Sequence, residues 1–109
     1  MQFAYTILYV TDVTKTVEFY ERAFGLKRRF IHEAGDYAEM ETGATALTFA
    51  SESAAEDNDI AIYPNRKGQL PSAWEICLTT PKVSEAYTTA LEAGAAAVLA
   101  PIEKPWGQV

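Results

Sequence analysis

"YTILYVTDVTKTVEFYERAFGLKRRF", Tyr5 to Phe30, is the stretch whose reading decides the fold. It opens on an apolar and β-branched run, a strand by propensity. Asp12 then offers a helix cap. Val13, Val17, Tyr20 and Phe24 follow at spacings of four, three and four, which puts them on one helical face. Gly25 stands where such a helix ends. Downstream, Gly35-Asp36 and Gly43 punctuate three extended segments between Leu26 and Ser51. The first half therefore reads strand, helix, then three strands joined by tight turns.

From Ser51 to Ser72 the character changes. "SESAAEDND" is small and acidic without apolar periodicity, and "IAIYPNRKGQLPSA" carries two prolines and a glycine. An exposed connector is expected, with at most a short strand or helical turn at Ile60 to Tyr63. After it the opening pattern returns. "WEICLTT" (Trp74 to Thr80) reads as a strand, and Thr80-Pro81 as a cap with proline at the first helical position. Val83, Tyr87, Ala90 and Gly94 step as one helical face, and "AAAVLAP" reads as another strand. A shift of seventy positions lays Tyr5 on Glu75, Val13 on Val83 and Val17 on Tyr87, and one deletion brings Gly25 onto Gly94. The chain carries an internal strand–helix–strand repeat.

Length and charge narrow the functions. With 109 residues the chain has material for one domain and one core. Its net charge of -6 disfavours nucleic acid phosphates and anionic lipid. No stretch approaches the apolar length of a membrane span and no signal pattern opens the chain, so a soluble, cytoplasmic protein is expected. Cys77 is the only cysteine and His32 the only histidine, which excludes an internal disulfide and thiolate metal clusters. The basic "LKRRF" reads as a solvated strand face, and "GATA" at Gly43 lacks the spacing and lysine of a phosphate loop.

The "D-V-x-x-T-V-x-F-Y-x-x-x-F-G-L" core of the first half, with "EICLTTPKVSEAYTTALEAGAAAVLAPIEKPWGQ" in the second, resembles the vicinal oxygen chelate superfamily. That superfamily includes glyoxalase I, extradiol dioxygenases, and fosfomycin- and bleomycin-resistance proteins. The resemblance implies an α+β fold of paired βαβββ modules whose mixed sheets form a cup. The modules are expected at 1–51 and 73–109, with a linker at 52–72. The second module reaches "EKPWGQV" (Glu103 to Val109) and lacks the last hairpin of the pattern. A longer natural chain, or a partner supplying the sheet edge, is the expectation. A homodimer follows from the resemblance, with exchange of modules or strands as one form of it.

Metal ligands of such proteins, carried over by position, fall on Tyr5, Thr48 and Glu75. Only Glu75 is a good oxygen donor for a divalent ion, so neither a metal nor another cofactor is expected. The cup is instead read as an aromatic-lined site drawing on Tyr5, Tyr9, Phe30, Tyr37, Phe49, Trp74 and Trp106. Tyr5, Ile7 and Tyr9 share one face of the first strand, and Thr48 and Ala50 one face of the fourth. Ligand-binding residues are therefore expected at Tyr5, Ile7, Thr48, Trp74, Glu75 and Trp106, with Glu75 inward and partnered by the Tyr5 hydroxyl. A planar or cationic guest gains from ring faces and a carboxylate. Resemblance to the bleomycin-resistance branch implies sequestration of such a small molecule without catalysis. The alternative is an enzyme: a metal-dependent lyase or dioxygenase, or a metal-free isomerase using Glu75 as base.

Overall fold

Asp12 starts the first helix as its chemistry predicts. A computed structural model describes residues 1–109, and in it Lys15 N–H donates to Asp12 Oδ1 at 3.0 Å. The chain runs β1 (Tyr5–Val10), α1 (Val13–Phe24), β2 (Lys27–Ile31), β3 (Tyr37–Glu41), β4 (Ala46–Ser51), α2 (Glu52–Asp57) and α3 (Val83–Glu92). Helix α1 stops at Gly25, which adopts the left-handed conformation (φ 66°) and donates its N–H to the Glu21 carbonyl. Only glycine takes that backbone at little cost.

The four strands form one mixed sheet in the order β1-β4-β3-β2. The β1 and β4 strands pair in parallel, Ile7 beside Thr48 and Tyr9 beside Ala50. Antiparallel pairing sets Glu39 against Thr48 and Tyr37 against Ala50. On the far side β2 meets β3 with Phe30 opposite Glu39 and an irregularity at Arg29. This is the expected βαβββ module.

Because strand side chains alternate, the two faces separate cleanly. Ala38, Met40, Leu47 and Phe49 point at α1 and close a core with Val13 and Val17, while Leu8, Val10, Tyr20 and Ile31 pack around it. The Phe49 ring lies 4.8 Å from that of Tyr20. Burial of the Val, Leu, Met and Phe side chains here contributes roughly 1.5–3 kcal/mol each.

Behaviour in the second half differs from the expectation. Twelve residues are buried, and of these only Ala90 lies beyond α2. Helix α3 packs on α1 and ends in a glycine cap, with Gly94 N–H bonded to the Leu91 carbonyl and Ala95 N–H to that of Ala90. Trp74–Thr80 and Ala95–Ala100, expected as strands, make no ladder. A β-forming sequence becomes a strand only by pairing, and neither edge of the sheet receives these segments. Helix α3 also begins at Val83 rather than Pro81, and Thr80 Oγ1 accepts from Lys82 N–H at 3.2 Å. The connector's helical turn is α2, earlier than Ile60. Ser51 caps it, and Arg66 clamps Glu52 at 2.6 and 2.9 Å. The radius of gyration is 15.1 Å, against about 13 Å for a close-packed chain of this length. That excess reflects the loosely applied second half.

Candidate ligand-binding site

The sheet face turned away from α1 collects the polar and aromatic groups. Tyr5, Ile7 and Tyr9 of β1, Thr48 of β4, Tyr37, Glu39 and Glu41 of β3, and Phe30 of β2 all lie on it by alternation and register. Tyr5, Ile7 and Phe30 are exposed there. The Phe30 and Tyr37 rings are 6.0 Å apart. Tyr5, Ile7 and Thr48, joined in the sequence reading, therefore come together. Thr48 is fully buried, and its hydroxyl donates to the Thr6 carbonyl at 2.9 Å, which makes it the floor of this face.

A polar network crosses the same face. The Tyr37 hydroxyl donates to Glu39 Oε1 at 2.9 Å, and Arg29 Nη1 donates to Glu39 Oε2 at 3.2 Å. Two further bonds, from Nε and Nη2, tie Arg29 to Glu41 at 2.8 and 3.0 Å, and Nη2 also reaches the Gly43 carbonyl. The irregularity between Arg28 and Phe30 explains this reach. Arg28 turns toward α1 and pairs with Glu21, whereas Arg29 turns to the open face. Burial pushes the Tyr37 phenol above its ordinary range, and its bond to Glu39 adds to that. The Arg29 guanidinium holds the Glu41 carboxyl below the ordinary carboxylate range. The sequence predicts a solvated face for these arginines, and Glu39 is not among the expected site residues. Its alternation with Ala38 and Met40 was the available signal.

Glu75, Trp74 and Trp106 lie elsewhere. Glu75 is exposed, and its nearest polar partner is Cys77 Sγ at 3.7 Å rather than the Tyr5 hydroxyl. With Trp74 it lines a cleft of about 1210 Å³ on the helix side, walled by Leu8, Tyr20, Phe24 and Tyr87 among others. Strands carry equivalent positions to equivalent faces only when both belong to a sheet, and Glu75 belongs to none. Trp106 is exposed, its indole N–H donating to Gln108 Oε1 at 3.0 Å. Phe49, counted among the aromatics of the cup, belongs instead to the core. The cleft is larger than drug-sized sites of roughly 300–1,000 Å³. We read it as the gap between two halves joined mainly through α1 and α3.

Transition-metal chemistry does not fit this donor set. Nowhere do three His, Cys, Asp or Glu side chains gather in a metal-holding group. Of the positions carried over for ligands, Tyr5 is a phenol, Thr48 has its hydroxyl committed to backbone, and Glu75 stands apart. Such centres need three or four nitrogen or oxygen donors together. No helix is long and apolar enough to cross a membrane.

Solved structures with this architecture are numerous. A glyoxalase/bleomycin resistance protein/dioxygenase family enzyme from Burkholderia phytofirmans superposes with a TM-score of 0.75 at 20% identity, covering 98% of this chain and 84% of that one. For a glyoxalase-related enzyme from Fulvimarina pelagi the TM-score is 0.73 at 19% identity, over 98% and 75%. TioX from Micromonospora sp. ML1 gives 0.63 at 19%, over 98% and 84%. At these identities the likeness establishes the fold. No curated protein matches significantly by sequence. The sequence model of one family matches residues 2–109, nearly the whole chain, and with the βαβββ sheet already described it leads to one conclusion: the chain belongs to the Glyoxalase/Bleomycin resistance protein/Dioxygenase superfamily.

Proposed function

We propose that the protein binds and sequesters a small cationic or aromatic molecule on the open sheet face, in the manner of the bleomycin-resistance branch of its superfamily, without chemical turnover. The observation that carries this reading is the face itself. Tyr5, Tyr9, Phe30 and Tyr37 supply ring surface around a covered floor at Thr48, and Tyr5, Ile7 and Phe30 stay exposed. Contiguous exposed apolar surface on a small protein marks a binding site, and ring faces favour planar and positively charged guests. An acidic chain adds attraction for cations.

The partner in this reading is a second copy of the chain. Strand β2, one edge of the sheet, carries Lys27, Arg28 and Arg29 and an irregularity, devices that discourage further pairing. At the other edge β1 reads Tyr-Thr-Ile-Leu-Tyr-Val, with no charge and no proline. Trp74–Thr80, unpaired and of strand composition, is available to add to β1 of a neighbouring chain. Such an exchange extends the sheet, and with it the open face, past β1.

Titration calorimetry with 9-aminoacridine and with bleomycin, paired with sedimentation velocity across protein concentrations, tests both halves of the proposal. Saturable binding of at least one compound and a concentration-dependent dimer are expected. Absence of binding by either compound removes the sequestration reading, and a monomer at every concentration removes the exchange.

A further inference from the structure

Resting on that reading, we infer that Glu39 is the anchor for the ligand and that the ligand presents a protonated nitrogen carrying N–H donors, held against an aromatic plane. Donors and acceptors around Glu39 are used unequally. The Tyr37 hydroxyl hydrogen goes to Glu39 Oε1 and the Thr48 hydroxyl hydrogen to the Thr6 carbonyl. Arg29 commits Nε, Nη1 and Nη2 to Glu41, Glu39 and Gly43. The Tyr37 and Thr48 hydrogens and four of the five Arg29 N–H groups are thus consumed internally. Acceptor capacity is not, because each Glu39 oxygen receives one bond and a carboxylate oxygen takes two. Glu39 can therefore accept donors that a guest brings to this face.

Charge points the same way. Arg29 is shared between Glu39 and Glu41, so the trio keeps one uncompensated negative charge. Lys27 sits in register with Glu41 yet forms no ion pair with either carboxylate. The Glu39 side chain is 19% exposed, accessible but partly desolvated, where a charge-assisted bond is stronger than at an open surface. The Phe30 and Tyr37 rings flank it within one register step. Arg29 and Tyr37 are positioning residues: they hold the carboxylate in one orientation.

Three probes of nearly equal planar area separate the contributions: acridine at a pH where it is neutral, 10-methylacridinium, charged without an N–H, and 9-aminoacridinium, charged with N–H donors. Wild type is expected to bind them with affinity rising in that order. Glu39→Gln should reduce the preference for 9-aminoacridinium over acridine by roughly tenfold, the difference between charged and neutral hydrogen bonds. Tyr37→Phe, which keeps the ring and frees the carboxylate, should reduce the preference by about two- to fivefold on the same scale. That variant carries the test if Glu39→Gln unfolds, as checked by circular dichroism. Intact binding with an unaltered preference in both variants overturns the anchor and leaves the sequestration reading standing. Loss of the preference in Glu75→Gln instead also overturns it, by moving the anchor to the helix-side cleft. Failure of wild type to bind any probe sinks both proposals.

Discussion

Two phenylalanines on one sheet, Phe49 and Phe30, test the assignment of its faces. Phe49 is 0% exposed and packs in the core, its ring 4.8 Å from Tyr20. Phe30 is 42% exposed on the opposite face. Truncating Phe49 to alanine removes its transfer energy and leaves a cavity, at a cost of about 3–5 kcal/mol. That is a large share of the roughly 5–15 kcal/mol that holds a domain together. Truncating Phe30 forfeits only the covered part of its ring, about 1–1.5 kcal/mol, and water fills the space. With a urea m-value of roughly 1–3 kcal/mol/M, the midpoint falls by about 2 M for Phe49→Ala and about 0.5 M for Phe30→Ala. Urea unfolding followed by far-ultraviolet circular dichroism measures both, with unchanged slopes as the check on comparability. Equal losses, or a larger loss at Phe30, would refute the reasoning. They would place Phe30 in the core and dissolve the face on which Glu39, Tyr37 and Thr48 meet.

Other perturbations probe local structure. Asp12→Ala removes the acceptor for Lys15 N–H and should lower stability by about 1 kcal/mol, read by the same urea assay. Acid dependence should be visible at the Arg66–Glu52 clamp. Arg66 holds the Glu52 carboxyl below its ordinary value of 4.5, so the pair stabilises the fold above that pH and the contribution is lost as pH falls through the lower folded value. The urea midpoint of Arg66→Ala should therefore decline less steeply than wild type from pH 5 downward, and parallel declines would show the clamp to be inert.

Much of the first half was legible in the sequence because its determinants are local. Asp12 caps, Gly25 stops, and the spacing of Val13, Val17 and Tyr20 fixes the buried stripe of α1. Alternation put Tyr5 and Ile7 on one face of β1 and Thr48 on one face of β4, the resemblance implied that both faces turn inward, and the register sets Ile7 beside Thr48. The face of Glu39 was legible from its alternation with Ala38 and Met40, but its significance was not, since that depends on Arg29, ten residues away, being turned toward it by an irregularity in β2. Glu75 failed for a related reason. The repeat mapped it onto Tyr5, but sequence similarity carries side-chain direction only if both segments are paired in sheets, and Trp74–Thr80 is not.

The sequence by itself determined the βαβββ order of the first half and both ends of α1, because capping, periodicity and turn chemistry act over a few residues, while the superfamily showed in the resemblance of its motifs. Tertiary structure alone decided which carboxylate stands among the aromatic rings. That choice depends on strand register, on a local irregularity that redirects one arginine, and on whether an extended segment finds a partner. Each of these is an interaction between distant parts of the chain.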